Sequence, residues 1–188
     1  RGKIDHPNTP DISKELRETH SKLIKSGDIE KFPEIDIGYL TLRDAGGDMV
    51  YLKRFNLAGR RGIILADVSG HDIRSSYLSA IMLGISSTIW PLYQIPDMFL
   101  KKANEELLKL ENSNSHVCLS VLLWDQRREI LNIGIAGNPG GILFKKNSRG
   151  TYSVKKLDGG GMCLGLLKRS DLFVSYNIDF TKNDVLFI

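Results

Sequence analysis

Two short segments hold the residues best suited to chemistry. The first is Ala45-Gly46-Gly47-Asp48 and the second is Leu65-Ala66-Asp67-Val68-Ser69-Gly70-His71-Asp72. Each sets a carboxylate at the end of an apolar, strand-like run and next to glycine. Met49 to Leu57 and Gly62 to Val68 read as the two strands of a hairpin, with a turn over 58–62 rich in Gly and Arg. In that hairpin Asp48 and Asp67, 19 residues apart, come to the same end. Two converging carboxylates stay ionised together only at a cost unless a cation lies between them. Hard divalent ions take such oxygen ligands, often with a backbone carbonyl and several waters. Neighbouring glycines let the backbone approach closely. Each feature alone has a plainer reading. Gly-Gly-Asp is a common turn, and an acid after an apolar strand often caps a helix, a role open equally to Ser69 or Asp72. A single histidine such as His71 is more often structural than catalytic. The ordered combination is what raises the pair above its parts.

The elements that would position these residues follow from periodicity. A polar tail or linker over 1–10 leads into a helix opened by Thr9-Pro10 and stopped at Gly27, with Leu16, Leu23 and Ile24 on its apolar side. Ile35, Ile37 and Tyr39 alternate with polar positions and predict a half-buried strand. Tyr77, Leu78, Ile81, Met82 and Ile85 share one face of a helix that ends at Trp90-Pro91. Pro96 opens a second helix, with Phe99, Ala103, Leu107 and Leu110 at helical spacing. A polar loop over 112–115 precedes strands at 117–124 and 130–135, a hairpin of 140–146 with 152–157, and strands at 172–180 and 185–188. Gly159-Gly160-Gly161 reads as a flexible loop. The order of strands, two helices, then strands predicts an α+β sandwich with antiparallel sheets and helices outside, not a doubly wound parallel sheet.

Bulk properties narrow the function. At 188 residues the chain suits one domain with its own core. The net charge of +4 is spread over scattered pairs such as Lys53-Arg54 and Arg60-Arg61, read as solvated turns. Nucleic-acid binding would ask for one basic stripe with interleaved aromatics. The two cysteines, Cys118 and Cys163, lack zinc or redox spacing and are expected as buried free thiols in a reducing cytoplasm. No apolar run approaches membrane-spanning length. The abrupt ends at Arg1 and Phe187-Ile188 read as those of a piece cut from a longer protein.

The motif order resembles the sporulation stage II protein E type phosphatases of the metal-dependent protein phosphatase superfamily. Gly46-Gly47-Asp48 followed by Asp67-Val68-Ser69-Gly70-His71 is similar to their Gly-Gly-Asp and Asp-Val-Ser-Gly-His-Gly signatures. Ile135-Ala136-Gly137-Asn138-Pro139 is similar to their Asn-Ala-Gly-His-x-Pro, and Gly160 through Leu164-Gly165 to their Gly-x-x-Leu-Gly. Phe180 to Phe187 resembles the strand that delivers their Thr-Asp-Gly. The match runs from about residue 12 to 188.

The resemblance implies a four-layer αββα sandwich with two central antiparallel sheets, C-terminally incomplete, over 11–188. It implies two Mn²⁺ or Mg²⁺ ions, with Asp67 bridging both and Asp48 and the Val68 carbonyl holding one. A metal-bound water would attack phosphoserine or phosphothreonine directly, so Ser69 is no nucleophile. Gly70, His71 and Asn138 are further candidates at the site. The implied substrate is a phosphorylated regulatory protein, such as an anti-sigma-factor antagonist, in the cytoplasm. The N-terminal helix is a candidate dimer contact. The chain departs from the pattern at Asp72 (Gly), Ser75 and Ser76 (other small residues), Cys118 (Thr) and Asn138 (His), and it stops before Thr-Asp-Gly. These departures define the alternative, a catalytically impaired pseudophosphatase acting as a protein-binding module.

Overall fold

The computed structural model describes residues 18, 25–27, 32–38, 46–56, 59–70, 73–110, 116–138, 140–169 and 171–188. The strands are β1 (Lys25–Gly27), β2 (Met49–Arg54), β3 (Arg60–Val68), β4 (Val117–Asp125), β5 (Ile130–Ala136), β6 (Gly140–Lys146), β7 (Tyr152–Asp158), β8 (Ser175–Asp179) and β9 (Val185–Phe187). Among the described residues two helices have full bounds, α1 (Ile73–Ile89) and α2 (Pro96–Leu107), and Glu18 is also helical. A six-stranded sheet runs β1-β2-β3-β4-β5-β8 and a three-stranded sheet runs β7-β6-β9. Every ladder is antiparallel except β1 with β2.

Side-chain alternation sorts the large sheet into two faces. Ile64, Ala66 and Val68 of β3 and Val117, Leu119 and Val121 of β4 join α1 and α2 in one core. Leu122, Trp124, Leu131 and Ile133 face the other way and meet Leu143, Leu157 and Leu186 of the small sheet. The chain is thus an α+β sandwich of helices, large sheet and small sheet. On the outer side of the small sheet Val154 and Phe187 are 65% and 62% exposed, and among the described residues nothing covers them.

Helix α2 begins with Pro96 at its first turn, where a missing N–H costs nothing, and buries Phe99, Leu100, Ala103 and Leu107. Trp90 ends α1 and is fully buried, edge-on to Phe99 with ring centroids 4.8 Å apart. It lies over Gly62, where any side chain would strike the indole. No described helix is long and apolar enough to cross a membrane.

Several sequence expectations need correction. Residues 25–27 form β1, so the first helix cannot reach Gly27; main-chain bonding to the free edge of β2 wins over helical pattern there. The rest of that helix, apart from helical Glu18, lies outside the described residues, as do the proposed 1–10 linker and the 112–115 loop. Residues 35–38 form no ladder, because β1 already holds the β2 edge. Ile35 and Ile37 still point inward, against Phe32, Val50 and Leu52. On α1, Tyr77 (66%) and Ile81 (40%) are exposed, while Ser75, Ser79 and Ser86 are buried with Leu78 and Met82. The strand expected over 172–180 begins only at Ser175. Arg60 and Arg61 are not a solvated tip. Arg60 pairs with Asp125 at 3.2 Å, and Arg61 pairs with Glu34 while its guanidinium lies over the Phe32 ring.

Asp184 ties the small sheet to the chain leaving β8. Its carboxylate accepts the backbone N–H groups of Thr181 (2.8 Å) and Lys146 (3.0 Å). Burial pushes its pKa up, but these two donors and the nearby Lys145 charge outweigh burial and hold it below the ordinary value. A depressed carboxylate pKa adds stability above the unfolded-state value, and that stability is lost as pH falls through the folded-state value. Asp184→Ala should therefore lower unfolding stability near neutral pH by about 1–3 kcal/mol. In urea titrations the gap to the parent should narrow below about pH 4.

Candidate functional site

The β2–β3 ladder decides where the acids go. Its register pairs Met49 with Ala66. One step further along the same ladder sets Asp48 across from Asp67. Both carboxylates lie in phase with Val50 and Leu65, on the face turned toward the small sheet, at the open end of the gap between the sheets. They line one cleft of about 230 Å³ together with Asn138, Gly140 and Ile188. β3 is paired along both edges, so Asp67 stands on the third strand of a six-stranded sheet, a rigid mount.

The Gly-Gly-Asp turn is held by packing that only glycine permits. A side-chain carbon on Gly47 would run into the Val68 carbonyl. The turn therefore lies directly on the carbonyl that the family resemblance implies as a ligand. From the other side α1 grips it. The Ser79 hydroxyl is 2.6 Å from the Gly47 carbonyl and that of Ser76 is 3.3 Å from the Gly46 carbonyl. These hydroxyls explain why serines occupy the buried side of α1.

Beyond β3, Ser69 is tied to the residue that precedes β4. Its N–H donates to the His116 carbonyl and its Oγ accepts the His116 N–H, both at 3.0 Å. Gly70 follows with a φ of +107°. His71 and Asp72 lie outside the described residues.

Asn138 enters the cleft from the end of β5 and is fixed by Ser120. Its Nδ2 donates to Ser120 Oγ at 2.8 Å, and Ser120 is fully buried. The glycine loop folds over this end. Gly137 N–H donates to the Gly160 carbonyl at 2.7 Å and Gly160 N–H to the Asn138 carbonyl at 2.6 Å. The loop expected to be flexible is thus tied to the site. Cys118 lies opposite Asp67 in the β3–β4 ladder. Burial pushes its thiol up to about 12, helped by a bond to Cys163 and by the Asp67 charge. Both cysteines are partly exposed, not buried.

The structure thus brings Asp48, Asp67 and Asn138 into one cleft and puts the Val68 carbonyl behind the Gly-Gly turn. Sequence reasoning missed Ser79 and Ser120, and named Ser76 only as a departure from the family pattern. A lone serine inside the apolar run Val117–Trp124 must find a partner when buried, and that was the available signal for Ser120. Among the described residues no group of three or more His, Cys, Asp or Glu could hold a metal ion. Two carboxylates do fit a hard divalent cation that keeps much of its water, a habit of Mg²⁺.

Gly47→Ala should force the turn off the Val68 carbonyl and cost about 1–3 kcal/mol in urea unfolding. Ser79→Ala should cost about 1 kcal/mol, the worth of one buried hydrogen bond. Equal, negligible effects would show that the turn is not clamped.

Comparison with known proteins gives the family and the fold. The family model for Stage II sporulation protein E (SpoIIE) matches residues 58–188, well over half of the chain. A comparison with curated proteins gives no match. Among solved structures, the SiaA-PP2C domain of Pseudomonas aeruginosa superposes with a TM-score of 0.75 at 12% identity, covering 94% of this chain and 69% of that one. The PP2C phosphatase domain, with a fragment of the regulatory domain, of SpoIIE from Bacillus subtilis gives 0.55 at 14% identity, covering 74% and 40%. RsbX in complex with magnesium gives 0.55 at 15% identity, covering 75% and 64%. The chain has the PP2C-like fold, and it belongs to the SpoIIE family.

Proposed function

We propose that this domain removes phosphate from phosphoserine or phosphothreonine on a regulatory protein partner, using Mn²⁺ or Mg²⁺ held by Asp48 and Asp67. The observation that carries this reading is the β2–β3 register, which lines one cleft with both acids. Membership of the SpoIIE family and the magnesium in the RsbX complex support it. A divalent cation there would supply Lewis acidity toward water and phosphate. Asp67, on the rigid third strand, holds the central position, and Asp48 approaches from the adjoining strand end. The Val68 carbonyl is a third oxygen donor in this reading. Asn138, with one amide N–H committed to Ser120, has its other free to orient a phosphoryl oxygen. The cleft, about 230 Å³, falls below the volumes that enclose small ligands. A phosphorylated side chain presented on a protein surface suits it better.

Asp72 and Asn138, standing where the family pattern has glycine and histidine, favour a second reading: a regulatory module that binds its partner without turnover.

The test is a phosphatase assay with Mn²⁺ on a phosphoserine protein or peptide. Asp67→Asn keeps the shape and removes one anionic ligand. It should lower kcat/KM by about 100-fold or more, since even residues that merely support metal ligands are worth 10–100-fold. Full activity in that variant would overturn the assignment. Binding of a phosphorylated partner without hydrolysis by the parent would establish the second reading.

A further inference from the structure

The two cysteines are 45 positions apart in sequence, yet their sulfurs are 3.3 Å apart. Backbone geometry explains the meeting. Val117 and Leu164 form an isolated antiparallel bridge and exchange both main-chain hydrogen bonds, at 3.1 and 2.9 Å. The next pair along such a bridge, Cys118 with Cys163, is a non-hydrogen-bonded pair. Cα atoms there are about 4.5 Å apart, within the span a disulfide requires. To form the bond the sulfurs need approach by only about 1.3 Å, a matter of side-chain torsion.

The surroundings hold the pair in place. Both sulfurs rest on Gly137, where any side-chain carbon would collide with them. The segment bearing Cys163 is clamped on two sides. Gly160 bonds with Gly137 and Asn138 on one. On the other, the buried Asn104 side chain accepts the Gly165 N–H at 2.8 Å and donates to the Leu167 carbonyl at 3.0 Å. Both cysteines are partly exposed, so a small oxidant reaches them.

We propose that Cys118 and Cys163 are a reversible oxidation site: a hydroperoxide converts them to a disulfide that locks the 159–165 loop onto β4 beside Asp67. One thiol takes an oxygen from the hydroperoxide, giving a sulfenic acid and releasing water or the alcohol. The second sulfur then attacks the first, forming the S–S bond and expelling the hydroxyl as water with its own proton. The two sulfurs lose two electrons and the hydroperoxide gains them. In a reducing compartment such a bond is transient, which suits a switch better than a brace. The inference rests on the thiol pair alone and stands whether or not the domain is a phosphatase.

The chain has no other cysteine, so thiol counting is unambiguous. The reduced protein is treated with hydrogen peroxide, quenched with a maleimide and weighed intact. The expected product is a monomer lighter by two hydrogens with no maleimide adduct. Digestion without reductant should give one peptide pair joining Cys118 to Cys163, and dithiothreitol should restore both thiols. With dimedone present as a competitor, the ratio of disulfide to trapped sulfenic acid should be higher in the native protein than in the urea-unfolded chain by about tenfold or more, because the fold pre-positions the sulfurs. Cys118→Ser should leave Cys163 as a sulfenic acid trapped by dimedone, or as an intermolecular disulfide. Two maleimide adducts after peroxide, separate over-oxidation of each sulfur, disulfides only between molecules, or an equal ratio of disulfide to trapped sulfenic acid in native and unfolded chains would each overturn the proposal.

Discussion

The antiparallel ladder between β2 and β3 is the constraint on which the rest depends. Six residue pairs run from Met49–Ala66 to Arg54–Arg61. Because side chains alternate, this register assigns every residue of both strands to a face. Met49, Tyr51, Ile64 and Ala66 go to the helices, while Val50, Ile63 and Leu65 go to the gap between sheets. Asp48 and Asp67 inherit the second assignment. They stand at the rim of that gap, where carboxylates keep access to water and no full desolvation cost arises. The same alternation on β4 brings Cys118 and Ser120 to the rim beside them.

Around this ladder the helices act as a clamp as well as a cover. Serines on α1 reach the carbonyls of the Gly-Gly turn. At the opposite end Trp90 closes over Gly62 and packs on Phe55 and Phe99. One helix thus fixes both ends of one hairpin, with hydroxyls where the backbone is exposed and an indole where it is not. The glycine loop at 159–161 receives similar treatment from Gly137 and Asn138, and the residues just after it from Asn104. A short loop without side chains keeps a defined path only when its own N–H and carbonyl groups are engaged.

Local signals were readable in the sequence where one pairing dominates. The hairpins at β2–β3, β4–β5 and β6–β7 follow from alternating apolar residues and turn chemistry, and α2 follows from Pro96 and its apolar spacing. The convergence of Asp48 and Asp67 follows from the first of these hairpins. Features set by distant partners were not readable. β1 pairs with a strand far along the chain, and residues 32–38 lose their ladder to that competitor while keeping their inward isoleucines. Tyr77 and Ile81 match a helical stripe, yet the buried stripe is rotated toward Ser75, Ser79 and Ser86, and Ser79 reaches the carbonyl of Gly47 in another segment. Arg61 reads in the sequence as part of a solvent-facing tip, and Glu34 and Phe32 come into place beside it only in the fold. The Cys118–Cys163 contact depends on a single isolated bridge, which leaves no periodic trace.

The hairpin has two ends with opposite tolerances. The acids lie at one end, and the turn between Phe55 and Arg60 lies at the other, roughly 20 Å away at about 3.4 Å per residue. Residues added at the turn extend a loop and leave the ladder as it is. One residue added between Met49 and Arg54 shifts the alternation on one strand only, and Asp48 and Asp67 part to opposite sides of the sheet. Length variation among natural versions of this domain should therefore collect at the turn, with the number of residues from each acid to the turn-side end of its own strand kept invariant. That spacing would mark a working site even where the flanking residues have diverged beyond recognition.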